Sequence, residues 1–123
     1  MSVIALTDSN FEEIIQGNDI VVIDFWAKWC EPCKTFADIF ASAALQNPDI
    51  TFASVDIEAE SVLASDFNVR SVPLLLIMRQ QVVVFMESGV IPESGLSDLL
   101  IQARAIDMQQ LHQQINDQQI SEQ

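Results

Sequence analysis

Basic residues are scarce. The 123-residue chain has five Lys and Arg against eighteen Asp and Glu, a formal net charge of −13, and its sequence pI is near 4.1. That balance argues against a polyanion partner, because nucleic-acid binding rests first on cationic neutralisation of phosphate. It argues equally against docking on an anionic membrane face; the excess acid serves solubility. Long apolar runs are lacking too. The longest, around Ile20 to Ala27 and Val72 to Met78, fall far short of the roughly 20 residues of a membrane-spanning helix. Met1 to Asn10 carries neither a basic segment nor a long apolar one, so no secretory signal is expected. A soluble, cytoplasmic protein is the expectation. Cysteine is limited to Cys30 and Cys33, too few for the disulfide framework of a secreted domain. In a reducing compartment, two cysteines at that spacing point to chemistry or metal.

Half of the residues are hydrophobic, enough for one core without staples. A domain of this size buries roughly two-thirds of the surface its unfolded chain exposes. No repeat and no linker divides the chain. Val3 to Leu6 is a short apolar run. Ser9 and Glu12 then form a capping box for a helix with Phe11, Ile14 and Ile15 on its apolar face, ending at Gly17. Ile20 to Trp26, interrupted only by Asp24, suits a strand buried on both faces. From Cys33 to Leu45, Phe36, Ala37, Phe40, Ala44 and Leu45 recur at helical spacing until Asn47-Pro48 stops the helix. Ile50 to Asp56 alternates as a strand, with Phe52, Ser54 and Asp56 on one parity, and Glu58 to Phe67 reads as a short helix.

Val72 to Met78 and Val82 to Met86 are strands joined through Arg79-Gln80-Gln81, a hairpin without the usual Asn-Gly or Asp-Gly. Pro92 opens a helix with Leu96, Leu99, Leu100 and Ala103 on one face. The order β-α-β-α-β-α-β-β-α implies parallel pairing across helices and antiparallel pairing across the tight turn. After Ala105 glutamine dominates. Met108, Leu111 and Ile115 fall three and four apart there, so residues 106–123 read as a helical or partly disordered extension of a domain over residues 1–105.

Trp29-Cys30-Glu31-Pro32-Cys33-Lys34 sits where a buried strand gives way to a helix. Residues three apart in a helix have Cβ atoms roughly 5–6 Å apart, near enough for a disulfide after modest adjustment. The positive end of the helix stabilises a thiolate at Cys30, and Pro32 in the first turn holds the backbone rigid. The pair can cycle between dithiol and disulfide with little motion. The alternative is half of a zinc site, but zinc wants four ligands or three plus water, and His112 is the only other soft candidate. Idle core thiols fit poorly beside Pro32 and Trp29.

At Asp24-Phe25-Trp26-Ala27-Lys28-Trp29-Cys30-Glu31-Pro32-Cys33-Lys34 the chain resembles the active-site segment of the thioredoxin family. Val72-Pro73 stands where that family carries its cis-proline, and Gly89 where it carries a glycine before the last helix. The resemblance covers roughly Val3 to Ala105. It implies an α/β thioredoxin fold, a central mixed sheet of about five strands flanked by about four helices, with the Gln-rich helical extension beyond it. It implies Cys30 as the exposed nucleophile and Cys33 as the deeper resolving thiol. Asp24 would be the buried acid that manages the proton of Cys33. Trp29, Val72, Pro73, Gly89 and Val90 would form an apolar collar for an extended substrate. No cofactor is called for. The partners implied are disulfide-containing proteins and a thioredoxin reductase or similar dithiol donor.

Departures from the family pattern bear on rate and partner. Glu31 stands where a glycine is usual, Ser54 where a lysine often faces the buried Asp, and Asp38 where a proline commonly kinks the long helix. Glu31 and Pro32 tune the pair: a carboxylate beside Cys30 disfavours its thiolate and keeps the couple reducing, besides complementing the helix dipole. A reductase is therefore the expected activity. An oxidase or isomerase on the same fold, or a binding module whose tail engages a partner, are the alternatives.

Overall fold

A computed structural model describes residues 3–121, with side chains through residue 116. Five strands form one sheet in the order β1-β3-β2-β4-β5, from β1 (Val3–Ala5), β2 (Ile20–Trp26), β3 (Thr51–Asp56), β4 (Leu74–Arg79) and β5 (Val82–Ser88). β1 and β2 flank β3 in parallel, β4 runs antiparallel to β2, and β5 antiparallel to β4. The helices are α1 (Phe11–Gly17), α2 (Glu31–Gln46), α3 (Ser61–Asp66), α4 (Glu93–Ala105) and α5 (Met108–Ser121). These are the expected mixed sheet of five strands and four helices, α1 to α4, with α5 following in the Gln-rich segment.

The nearly continuous apolar strands have both faces covered, and residue parity sorts them between two cores. Val22, Phe52, Leu75 and Ile77 pack with Phe36 and Phe40 of α2 and Leu96 and Leu100 of α4. Val21, Ile23, Phe25 and Val55 face the other way, with Ile15 of α1 and Leu63 of α3. Each aromatic or branched side chain so buried contributes roughly 1.5–3 kcal/mol. The sheet thus fixes the carboxyl ends of β2 and β3 between two packed layers.

Three local expectations are corrected. The capping box does not form: Asn10, not Ser9, is the N-cap of α1, and its side chain offers no cap bond. Ser9 shares a hydrogen bond with the Thr7 hydroxyl instead, while Asn10 Oδ1 accepts from the Thr7 N–H at 2.7 Å. On α2 the buried stripe is Phe36, Phe40, Ala43 and Ala44; Ala37 is exposed and Leu45 is 73% exposed, because both lie beyond the stripe that meets the sheet. Arg79 is not a turn residue but the end of β4, paired with Val82. The loop is Gln80-Gln81 alone, with φ of 48° and 70°. Such a two-residue turn needs positive φ at both positions, which costs a non-glycine residue on the order of 1 kcal/mol each. Local bonds hold it: the Gln80 N–H donates to Asp19 O at 2.8 Å, and Gln80 Oε1 lies 2.9 Å from His112 Nε2.

Arg79 is only 8% exposed. Its Nε donates to Asp19 Oδ1 at 3.2 Å and its Nη2 to Asp19 Oδ2 at 3.3 Å. Nη1 donates to the Ala103 carbonyl at 2.7 Å and the Ile106 carbonyl at 3.3 Å. The planar fork so joins the start of β2, the end of β4 and the carbonyls closing α4. Next to this clamp, Met108 opens α5 as a buried residue, and Leu111 and Ile115 are half-buried.

Candidate active site

β2 ends at Trp26, and the chain turns through Ala27, Lys28 and Trp29 into α2. The Cys30 N–H donates to Ala27 O at 3.2 Å, closing that turn. Cys30 is the N-cap of α2, with extended φ and ψ of −94° and 105°, and Pro32 lies in the first turn. The backbone N–H of Cys33 donates to Cys30 Sγ at 3.2 Å. A sulfur therefore does the work that a Ser or Asp oxygen does at an ordinary N-cap. The bond and the helix dipole both favour negative charge on that atom.

Cys30 and Cys33 form a disulfide with Cα atoms 5.3 Å apart. Ala27 packs with the two cysteines, and Trp26, Ile57 and Val72 pack around them. The expected contrast between an exposed and a buried thiol is absent in this oxidised form: Cys30 is 4% exposed and Cys33 3%. Glu31 and Pro32, between the two cysteines, are exposed. Glu31 is held by Lys34, Nζ to Oε1 2.8 Å, and both are largely exposed.

The Val72–Pro73 peptide bond is cis. Val72 is half-buried, Pro73 buried, and Val72 O lies 3.7 Å from Cys30 Sγ. Gly89 donates its N–H to Pro73 O at 2.9 Å and has φ of +90°, a conformation that L side chains rarely adopt. Trp29 is 67% exposed, and Val90 is also exposed. The fold thus brings Cys30, Cys33, Val72, Pro73 and Gly89 together, while Trp29 and Val90 stand as exposed neighbours in sequence. Ile57, whose N–H donates to Trp26 O at 3.0 Å, escapes sequence reasoning. Only the β2–β3 register brings it to the sulfurs. His112 bonds Gln80 at the hairpin end and does not join the cysteines.

Asp24 is 3% exposed and pairs in register with Ser54 on β3 and Leu75 on β4. With Ser54 and Cys33 it lines an open cavity of about 500 Å³. Its Oδ1 is buried with no hydrogen-bond partner, so adjacency to Ser54 does not satisfy it. Burial pushes its pKa from 3.8 to about 7, since removal from water penalises the charged form. Between those values the native state holds a proton that the unfolded state has released. Stability therefore falls as pH rises from about 4 to about 7, and stays lower above that window. The whole difference corresponds to about 4 kcal/mol at most. Asp24→Asn is expected to recover about 2 kcal/mol of it at pH 8 and almost none at pH 4. Urea melts of both proteins at the two pH values check this.

Two sulfurs joined within one helical turn, at the edge of a mixed sheet of this order, define a thiol-disulfide exchange protein. Comparison with known proteins agrees. The thioredoxin family model matches residues 2–102. A Streptomyces coelicolor protein classed as a thioredoxin is 44% identical over 118 residues, covering 96% of this chain and 88% of its own length. Thioredoxin C-3 of Corynebacterium nephridii is 41% identical over 118 residues, covering 94% and 73%. Among solved structures, a mutant thioredoxin from Halobacterium salinarum superposes with a TM-score of 0.79 at 28% identity, over 85% of this chain and 92% of that one. Thioredoxin f of spinach chloroplast gives 0.77 at 27%, over 84% and 94%. The chain belongs to the thioredoxin family and is a thiol-disulfide oxidoreductase. Among the described residues no helix is long and apolar enough to cross a membrane.

Proposed function

We propose that this protein reduces protein disulfides in the cytoplasm. The observation that carries the reading is the Cys33 N–H on Cys30 Sγ, which marks Cys30 as the atom prepared to hold negative charge. In the reduced protein the Cys30 thiolate attacks one sulfur of a substrate disulfide. A Cys30–substrate bond forms, the substrate S–S bond breaks, and the first substrate thiolate leaves and takes a proton. Cys33 then loses its proton and attacks Cys30 Sγ. The mixed disulfide breaks, the second substrate thiolate leaves, and the Cys30–Cys33 bond remains. Two electrons have passed to the substrate. A dithiol donor, a thioredoxin reductase or its equivalent, returns them.

Asp24 lies on the cavity that also reaches Cys33, where a carboxyl titrating near neutrality takes and returns the Cys33 proton. In this reading Trp29, Val72, Pro73, Gly89 and Val90 form the apolar collar for an extended substrate, with Val72 nearest the sulfurs and its backbone available to the substrate chain. The redox unit is residues 1–105, with 106–123 an extension anchored through Met108. Reduction of insulin disulfides with dithiothreitol as donor tests the reading; no acceleration over dithiothreitol alone overturns it.

A carboxylate beside Cys30 supports a reductase over an oxidase or isomerase. Glu31→Gly removes that charge and frees Lys34, so the Cys30 thiolate gains stability and the couple becomes more oxidising. Because the pair is exposed, the shift is small, about twofold to fivefold in the equilibrium constant with glutathione. Redox titration measures it, and a more reducing variant contradicts this role for Glu31.

A further inference from the structure

The cavity beside the redox pair offers more than a passage for protons. It reaches Cys33 and Asp24 but none of Trp29, Cys30, Val72 or Pro73, so it is separate from the substrate collar. Small side chains create it: Ala37 and Ala41 stand one turn apart on α2, and Ser54 faces them from β3. Its volume of about 500 Å³ falls within the range of roughly 300–1,000 Å³ typical of small-molecule sites. Its walls are chiefly apolar, with Phe40 contributing an aromatic surface. On those walls sits one buried acid, Asp24, whose Oδ1 is closed off from the cavity and has no partner.

The chemistry of the ligand follows from that carboxylate, to which an N–H donor offers a hydrogen bond. A cationic donor also supplies the counter-charge that burial denies the carboxylate. An anionic head meets Asp24 directly, in a chain whose net charge is −13. The charged groups around the cavity are Lys28 and Lys34 from its lining and Glu31, which pairs with Lys34; Ser54 and Val3 present none. Both lysines are exposed, so water and salt screen their opposition to a cation. We propose that this cavity binds small apolar ammonium compounds, the cationic head on Asp24 and the apolar body against Phe40, Ala37 and Ala41.

Proton and ligand then compete for one carboxylate, so affinity rises with pH through neutrality while the amine stays charged. The test uses the oxidised full chain, in which neither cysteine titrates, with benzylammonium as probe and benzyl alcohol as its neutral counterpart, followed by backbone amide shifts. Benzylammonium at pH 8 is expected to perturb Ala37, Ala41 and Ser54, and to bind about tenfold more tightly than benzyl alcohol, the margin of a charged hydrogen bond. Its affinity should fall about tenfold between pH 8 and pH 6, and fall likewise in Asp24→Asn. Ala41→Leu, which fills the cavity without touching the charge, should weaken both probes. Absence of perturbation, equal affinity for the two probes, a flat pH profile or undiminished binding by Asp24→Asn each overturns the site. Turnover is not involved, so the outcome is independent of whether the protein is a reductase.

Discussion

Cys30→Ser is expected to bring disulfide reduction down to background, while Cys33→Ser accumulates a covalent complex with substrate. The asymmetry does not come from burial, since the two sulfurs are almost equally covered. It comes from position on the helix. Cys30 as N-cap receives the Cys33 N–H and the positive end of α2, and the thiolate is the reactive form. A serine there supplies a far weaker nucleophile. Cys33, one turn in, receives no such bond; its replacement leaves the first attack intact and removes only the group that breaks the mixed disulfide. Non-reducing electrophoresis after mixing each variant with a disulfide substrate separates the cases. Complex formation by Cys30→Ser and none by Cys33→Ser would reverse the assignment.

Arg79→Ala is expected to lower stability by about 3 kcal/mol, with the rate of disulfide reduction by folded protein unchanged. The guanidinium meets Asp19, Ala103 O and Ile106 O at once. Its loss takes a charged donor from the carbonyls closing α4 and breaks an ion pair buried on the arginine side, a change that costs about 3–5 kcal/mol when both partners are fully buried. Asp19 is half exposed and regains water, which places the expectation at the lower end. In a domain of this size the melting temperature falls by roughly 10 °C or more. Arg79→Lys should restore only part, because an ammonium is a point charge that does not span carboxylate and carbonyls as the fork does. Urea titration reads both, and a loss below about 1 kcal/mol would make the clamp incidental.

These residues also mark how far the sequence is legible. Cys30, Pro32, Cys33 and Asp24 declare themselves locally: a buried strand carrying one acid, then two cysteines a helical turn apart. The strands and helices are equally plain, since the apolar periods alone separate the continuous runs of β2 and β4 from the stripe of α2. Arg79 is hidden because its partners lie 60 residues before it and up to 27 after it, and no local pattern encodes that meeting. The burial of Cys30 is hidden for the same reason: Val72 and Ile57 cover it from other segments. Leu45 misleads because a helical period says which side of a helix is apolar but not where the sheet beneath it stops. The α1 cap misleads differently, through a local rivalry in which Thr7 takes the Ser9 hydroxyl and Asn10 serves the loop.

The clamp has one more consequence. Arg79 pairs with Ile20 at the start of β2, and Trp26 closes the other end, six residues or roughly 20 Å away along the strand. Met108 and His112 of α5 are moored at the Arg79 pole, and the dithiol works at the opposite one. α5 is therefore a natural handle. A bead, an electrode linker or a fused reporter attached along its exposed side, at Gln109 or Gln113, would sit behind the molecule and leave the redox end unobstructed.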